Sequence, residues 1–356
     1  MVQLTSNFTS EARLAPSIRE AISVALADGW ADPKKSSQAS TKAAALRHGS
    51  LEELASHLGA RPSQLEVVGE PNLAYFLAIS GLLTPELQLV TSTVDVGKIR
   101  AVARTHSGEK FELLVEEDGL YKNLSDIPSA PSLLVLQSCN GETGVRQNSI
   151  GDIQERFASS AKIILDASHD IPNTTMLSGI STAIFDSTSW SGPTGLGLLY
   201  IADPTKYRYP LPHIAPIRTP GSYSLPLLVG AAIALTLYKE SRASIIGLRK
   251  YAAAALSNID GVSVIAAETG AESRYLSFLI DGISSEELLR SLQPLDIELD
   301  AGSACSPEDL TPSHVIAAMG LPTTGHMRMT FHAENTKDEI DYLVANLVSV
   351  LSQLRG

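Results

Sequence analysis

IILDASH, at residues 163–169, is a short apolar run that stops at an aspartate and a histidine. Apolar runs of this length, bounded by turn residues, are typical of strands buried on both faces of a sheet. Helical patterns lie between such runs, so the first two thirds of the chain predict a mostly parallel sheet covered by helices. The predicted strands are 87–91, 133–138, 163–166, 183–186 and 196–201, and the predicted helices are 16–28, 41–58 and 73–83.

Two of the predicted strands end in an acidic residue, one in Asp166 and the other in Asp186. In parallel sheets that are covered on both faces, ligands bind at the carboxyl ends of the strands. We therefore expect the ligand site of this sheet, if it has one, to lie beside these two carboxylates.

Beyond a long apolar helix near 225–241, the pattern changes to shorter elements that indicate a smaller α+β unit. We predict a large α/β domain at 11–235 and a small domain at 236–356. The elements predicted in the small domain are strands near 262–266 and 276–280 and a closing helix near 336–354.

The composition is that of a globular protein, with 44% hydrophobic and 19% charged residues in a chain of 356. A net charge of −12 argues against a general nucleic-acid binder or a protein that binds anionic membranes. Residues 1–10 lack the pattern of a signal peptide, and the longest apolar run, 225–238, is too short to span a bilayer. Two distant cysteines favour a reducing compartment, so we expect a cytosolic protein.

One of the two cysteines, Cys305, lies in the small-residue run DAGSACS at 300–306. Two interpretations are open: a thiol on a mobile loop that moves between partners, or a small buried cysteine at a tight helix entry. Asp300, Glu308 and Asp309 are acidic neighbours that raise a thiol pKa and so argue against a strong nucleophile. Cys139 follows an apolar strand and is predicted to be core. No spacing of histidines or cysteines indicates a metal site.

Five ordered motifs together resemble one family, the cysteine desulfurases, which are the class V aminotransferase branch of the fold type I pyridoxal-phosphate enzymes. The resemblance implies a large domain with a mostly parallel seven-stranded sheet, a smaller α+β C-terminal domain on which residues 1–10 pack, and a homodimer. The motifs are NGETG at 140–144, DASH at 166–169, SGPTGLGLLY at 191–200, the Cys305 loop with PSHV at 312–315, and RMT at 328–330.

The same resemblance implies roles for four residues. Asn140 lies in the turn over the cofactor, Asp166 pairs with the pyridine nitrogen, Arg328 holds the substrate carboxylate, and Cys305 takes sulfur from cysteine as a persulfide. Structural alternatives stay open for two of them: Asp166 can be a strand-end acceptor or pair with His169, and Arg328 can form an interior ion pair, for example with Asp300.

The chain departs from the family pattern at four places that touch the cofactor. Ser189 falls at the position of the lysine, and a serine cannot form an imine. Asp186 replaces a serine near the phosphate, and Val96 replaces the imidazole that stacks on the pyridine ring. The family's Gly-Gly-Thr phosphate turn falls on Glu70, Pro71 and Asn72, where proline lacks an N–H donor and glutamate repels a dianion. We therefore predict that ordinary pyridoxal phosphate binding has been lost.

Three functions follow from this pattern. The first is a pseudoenzyme that acts by binding or by sulfur relay through Cys305, with a sulfur-acceptor protein or an active desulfurase paralogue as partner. The second is an active cysteine desulfurase that serves iron–sulfur assembly or tRNA thiolation. The third is a remodelled enzyme that uses Asp166, His169, Asp186 and Ser189.

Overall fold

The computed structural model describes residues 6–157, 160–171, 174–213, 223–301 and 312–355, apart from the side chains of residues 174 and 175. A short strand, β1, Ser6–Asn7, opens the described chain. The strands of the large sheet follow as β2, Leu65–Val68; β3, Gln88–Ser92; β4, Lys110–Leu113; β5, Ser132–Gln137; β6, Ala161–Asp166; β7, Thr182–Asp186; and β8, Gly197–Ile201.

These seven strands form one sheet in the order β2-β8-β7-β6-β5-β3-β4. Pairing is parallel from β7 through β6, β5 and β3 to β4, and β8 runs antiparallel to both of its neighbours. Every residue of β3, β5 and β8 is buried, as expected for a sheet covered on both faces. The prediction of a mostly parallel seven-stranded sheet is confirmed.

Helices cover both faces of the large sheet, and the pleat sends alternate strand residues to two separate apolar clusters. In β6, for example, Ile164 packs in the cluster beneath the third and fourth helices, whereas Leu165 packs beneath the first, second and sixth. The helices are α1, Pro16–Asp28; α2, Gln38–Leu58; α3, Pro71–Ser80; α4, Gly97–Thr105; α5, Ile150–Phe157; α6, Leu225–Leu256; α7, Ser285–Leu292; α8, His314–Ala318; and α9, Lys337–Arg355.

Helix α6 links the large sheet to a small antiparallel sheet of the order β12-β13-β10-β9. It runs 15 residues beyond the predicted end at 241, and the predicted domain boundary at 235/236 falls inside it, so that division stays a prediction. The small-sheet strands are β9, Val262–Ile265; β10, Tyr275–Ile280; β12, Asp300–Ala301; and β13, His326–Thr330.

The amino-terminal strand β1 pairs in parallel with β11, Ile297–Glu298, which lies just before β12 of the small sheet in the chain. Main-chain hydrogen bonds from Ser6 to Asp296 and from Phe8 to Glu298 extend this contact. Among the described residues, no helix is long and apolar enough to cross a membrane.

Candidate functional site

The carboxyl ends of several strands meet at one edge of the large sheet and bring the predicted cofactor positions together. Asp166 ends β6 and Asp186 ends β7, while Asn140 follows β5. Gly197 pairs with Val68 on one side and with Asp186 on the other, so the turn at 70–72 after β2 reaches the same edge. This is the edge at which the sequence predicted a site.

Asp166 is buried, and one of its carboxylate oxygens is held by the residue two places further on. Its Oδ1 accepts hydrogen bonds from Ser168 N at 3.0 Å and from Ser168 Oγ at 2.6 Å. Its Oδ2 has no hydrogen-bond partner among the described residues. One oxygen of a buried carboxylate is thus left for a donor outside the described contacts.

Ser168 joins Asp166 to His169, so the pairing of Asp166 with His169 that the sequence allowed occurs through a hydroxyl. The single Ser168 hydroxyl proton goes to Asp166, so Ser168 Oγ accepts from Tyr75 Oη at 2.8 Å and from His169 Nδ1 at 2.9 Å. Burial lowers the pKa of His169, which favours a neutral ring with its proton on Nδ1.

Two carboxylates cap the helix starts at this edge, where the family resemblance implies a phosphate. Glu70 precedes α3, and its Oε1 accepts from Asn72 N at 3.0 Å. Asp186 precedes the short 3₁₀ turn Ser187–Trp190, and its Oδ1 accepts from Thr188 N at 3.0 Å and Thr188 Oγ1 at 2.8 Å. At each of these starts one backbone N–H group that could attract an anion is therefore bonded to the protein's own acid.

Ser189 is buried inside that 3₁₀ turn and makes a local hydrogen bond. Its Oγ donates to Asp186 O at 2.8 Å, and its own carbonyl oxygen accepts from Arg274 Nη1 at 3.0 Å. The described hydrogen bond of His169 Nδ1 goes to Ser168, so the described contacts do not assemble Ser189, His169 and an aspartate into a triad. Val96 precedes α4 and packs against an apolar cluster.

Arg274 was not identified from the sequence, although it is buried against position 189. Its Nη2 lies 2.6 Å from His332 Nδ1, and His332 Nε2 lies 2.8 Å from the carbonyl oxygen of Thr9. Because a carbonyl only accepts, Nε2 carries the His332 proton and Nδ1 accepts from the guanidinium. Arg274 is 85 residues from Ser189 in sequence, so no local pattern relates the two.

The amide of Asn140 is fully engaged inside its own turn. Its Oδ1 accepts from the backbone N–H groups of Glu142 and Thr143, both at 2.9 Å. Its Nδ2 donates to Val94 O at 3.2 Å and to Gln137 Oε1 at 3.0 Å. These contacts support a structural role for Asn140; the substrate or cofactor contact implied by resemblance stays a prediction.

Arg328 forms the ion pair with Asp300 that the sequence left as an alternative. Its Nη2 lies 2.6 Å from Asp300 Oδ2, and its Nη1 donates to Gly141 O at 3.0 Å. The pair lines a cavity of about 560 Å³ beside the amino-terminal segment at 7–13. A carboxylate ligand at Arg328 would therefore meet a guanidinium already paired with an acid.

Of the two cysteines, the structure describes Cys139. Cys305 lies outside the described residues. Cys139 is 1% exposed, its Sγ lies 3.5 Å from Gly144 O, and burial raises its thiol pKa. The prediction that Cys139 belongs to the core is confirmed. No group of three or more metal-ligating side chains occurs among the residues that the structure describes.

We expect Cys305 to react before Cys139 when the native protein is labelled with a limiting amount of iodoacetamide. Burial and a raised pKa make the Cys139 thiolate scarce and inaccessible, so its rate should be at least tenfold lower. Peptide mass spectrometry measures both sites. Cys139→Ser should leave the fast reaction intact and Cys305→Ser should abolish it. Equal or faster labelling of Cys139 would contradict the prediction that Cys305 is the more reactive thiol.

Comparison with known proteins agrees with this architecture. Residues 219–343 match the family "Aminotransferase class-V". A cysteine desulfurase of Klebsiella pneumoniae is 26% identical, over 100% of this chain and 94% of that protein. A solved NifS-like protein superposes with a TM-score of 0.86 at 19% identity, covering 98% of this chain and 100% of that one. A NifS-like protein from Rickettsia africae gives 0.84 at 15% identity, with 98% and 100% coverage.

The chain thus has the fold of the solved NifS-like proteins. Its residues 219–343 are similar to the class V aminotransferases, and the whole chain is similar to cysteine desulfurases.

Proposed function

We propose that this protein is a desulfurase-like pseudoenzyme that no longer binds pyridoxal phosphate and acts by binding or by sulfur relay through Cys305. The observation that carries the proposal is the pair of carboxylate caps, Glu70 and Asp186, at the helix starts where a phosphate would bind. A carboxylate a few ångströms from a dianion costs on the order of a few kcal/mol, or roughly a hundredfold or more in affinity.

Ser189 supports the same conclusion by chemistry and by contact. A hydroxyl cannot form the imine on which the cofactor's reactions depend, and this hydroxyl is bonded to Asp186 O. Pro71 removes one backbone donor from the phosphate turn, and Val96 offers no imidazole to a pyridine ring. These residues, as a set, do not fit the cofactor.

One observation favours the alternative, an active cysteine desulfurase that passes sulfur from L-cysteine to Cys305. Asp166 Oδ2 is buried and has no partner among the described residues, which suits the protonated nitrogen of a pyridine ring. The misfit at Glu70, Asp186 and Ser189 outweighs this single favourable position, because phosphate and imine contacts supply most of the cofactor's attachment.

A relay needs no cofactor on this chain. The Cys305 thiolate attacks the outer sulfur of a persulfide on an active desulfurase, the donor's S–S bond breaks, and the donor cysteine leaves as a thiolate. One sulfur atom is transferred and no external oxidant or reductant is consumed. The partner we propose is therefore an active desulfurase paralogue, with a sulfur-acceptor protein of iron–sulfur assembly or tRNA thiolation downstream.

The relay is tested by mixing the protein with an active cysteine desulfurase and ³⁵S-cysteine. We expect label on the wild-type chain and on Cys139→Ser, and none on Cys305→Ser. Absence of label on wild type would exclude relay and leave binding alone. Sulfide release from cysteine by this protein itself, with pyridoxal phosphate and no partner, would overturn the pseudoenzyme proposal.

We also propose a homodimer. Exposed apolar side chains lie on or just after α1, namely Val24, Leu26 and Trp30, and Val24 lines a groove together with Val229 of α6. Light scattering on the purified protein should give twice the 37.8 kDa of one chain; the mass of one chain would contradict it.

A further inference from the structure

The turn that follows β5 contacts the small sheet at two consecutive residues, Gly141 and Glu142. Gly141 O accepts from Arg328 Nη1 at 3.0 Å, and Glu142 O accepts from Ser277 Oγ. The Glu142 carboxylate in turn faces His326 of β13. This turn is therefore a junction between the two sheets, independent of any cofactor.

Counting donors places the proton of His326. Ser277 has one hydroxyl proton, and it goes to Glu142 O, because a carbonyl oxygen only accepts. Ser277 Oγ must then accept from His326 Nε2, which lies 3.0 Å away. In a neutral imidazole this leaves Nδ1 as a bare acceptor.

That acceptor lies 3.4 Å from Glu142 Oε1, and neither atom has a hydrogen-bond partner among the described residues. A lone pair directed at an ionised carboxylate oxygen is repulsive in a buried site, whereas one proton between them makes a hydrogen bond. His326 has 1% of its side chain exposed and Glu142 has 19%, so water does not readily replace the missing donor.

The charged and titratable surroundings are few. Arg328 of β13 faces both groups, and its partner Asp300 lies on β12. The ring of His169 packs against Gly141, where a Cβ would lie 2.1 Å from its Cδ2. The hydroxyl of Ser313 bonds to the Glu142 carboxyl. Burial raises the pKa of Glu142 and lowers the pKa of His326 to about 4, which puts the shared proton on the carboxyl.

We propose that one proton held between Glu142 Oε1 and His326 Nδ1 latches the 140–144 turn of the large sheet to the small sheet. The latch makes the contact between the two sheets depend on pH. It does not rest on the proposed function, since it uses neither Cys305 nor the former cofactor residues.

The direction of the pH dependence differs for the two partners. The pKa of Glu142 is raised in the closed latch, so its contribution is present at low pH and is lost as pH rises through that raised pKa. The pKa of His326 is depressed, so an opened latch takes up a proton as pH falls below about 6.5 while the closed one does not until about 4. Above the ordinary Glu142 pKa of 4.5 and below the ordinary His326 pKa of 6.5 the two effects oppose each other, so Glu142 should offset the loss of protection that His326 causes as pH falls.

Hydrogen exchange of the amides of residues 142–144 tests the latch, because those amides are protected only while the turn is closed. Glu142→Gln keeps a donor for His326 Nδ1 but cannot ionise, so its protection factors, corrected for the intrinsic pH effect, should rise at least tenfold from pH 4.5 to pH 6.5 as His326 alone responds. In the wild-type protein the ionisation of Glu142 on opening offsets that rise, so we expect it to be at least threefold smaller. Rises of equal size in the two proteins would overturn the proposal.

A measurement without substitution covers the case in which the variant folds poorly. Nitrogen-15 NMR of the wild-type His326 ring at pH 5 should show Nε2 protonated and Nδ1 as a hydrogen-bonded acceptor. A proton on Nδ1 of a neutral ring would disprove the donor assignment and the latch with it. His326→Asn is expected to remove the acid limb of the protection profile.

Discussion

The purified protein, after addition of excess pyridoxal phosphate and desalting, should show no visible absorbance band that borohydride abolishes. The reason is the absence of a lysine at 189 together with the carboxylates of Glu70 and Asp186 at the helix starts. We expect apparent affinity at least a hundredfold below that of an active cysteine desulfurase measured in parallel, which corresponds to roughly 2.7 kcal/mol or more.

Surface lysines can form weak adducts, so the control is the site of attachment. After borohydride reduction and digestion, adducts on this protein should be substoichiometric and spread over several lysines. One equivalent of cofactor mapped to a single lysine would show that an imine site exists, and the pseudoenzyme proposal would then be wrong.

Replacing Ser189 with lysine should not, by this single change, produce cysteine-dependent sulfide release. Position 189 is buried, and its carbonyl accepts from the buried Arg274 guanidinium, so a long side chain must displace packed atoms there. The phosphate turn and the stacking imidazole would still be missing, and a misplaced reactive group loses orders of magnitude in rate.

The matched comparison is a variant that restores all the missing positions together with Ser189→Lys. It combines Glu70→Gly, Pro71→Gly, Asn72→Thr, Val96→His and Asp186→Ser with that change. We expect its affinity for pyridoxal phosphate to exceed that of the single variant at least tenfold, although loss of the two caps should lower stability by about 1 kcal/mol each. Robust, cysteine-dependent sulfide release by the single variant would show that the other departures are unimportant.

Most of the large sheet was predictable because its strands are buried on both faces and read as unbroken apolar runs. Predicted strands 133–138 and 163–166 correspond to β5 and β6 with ends shifted by at most two residues. Helix α1 was predicted at its observed bounds, and its first residue is a proline, which suits a helix start.

Elements outside that apolar pattern were missed. The edge strand β4 has exposed and half-buried residues and only one buried one, so it lacks a two-sided apolar signature. Helix α6 continues to Leu256 because its polar residues after 238 still leave a buried stripe, including Ile245, Leu248 and Leu256. The length of the continuous apolar run, which was the basis for ending the predicted helix near 241, did not reveal that stripe.

For the candidate site, too, part was predictable from the sequence and part was not. Residue identity was enough to say that position 189 has no amine, that position 71 has no N–H donor and that positions 70 and 186 carry acids. Each of these statements concerns the functional group at a single position. That group depends on the residue type alone, so it is known without the fold.

Only the tertiary structure decided which groups meet. It paired Arg328 with Asp300, set Arg274 against Ser189, and placed the carboxyl of Glu142 opposite His326. The last two contacts join residues 85 and 184 positions apart in the chain. A hydrogen bond requires atoms within about 3 Å, and over such separations that distance is set by the packing of helices and sheets.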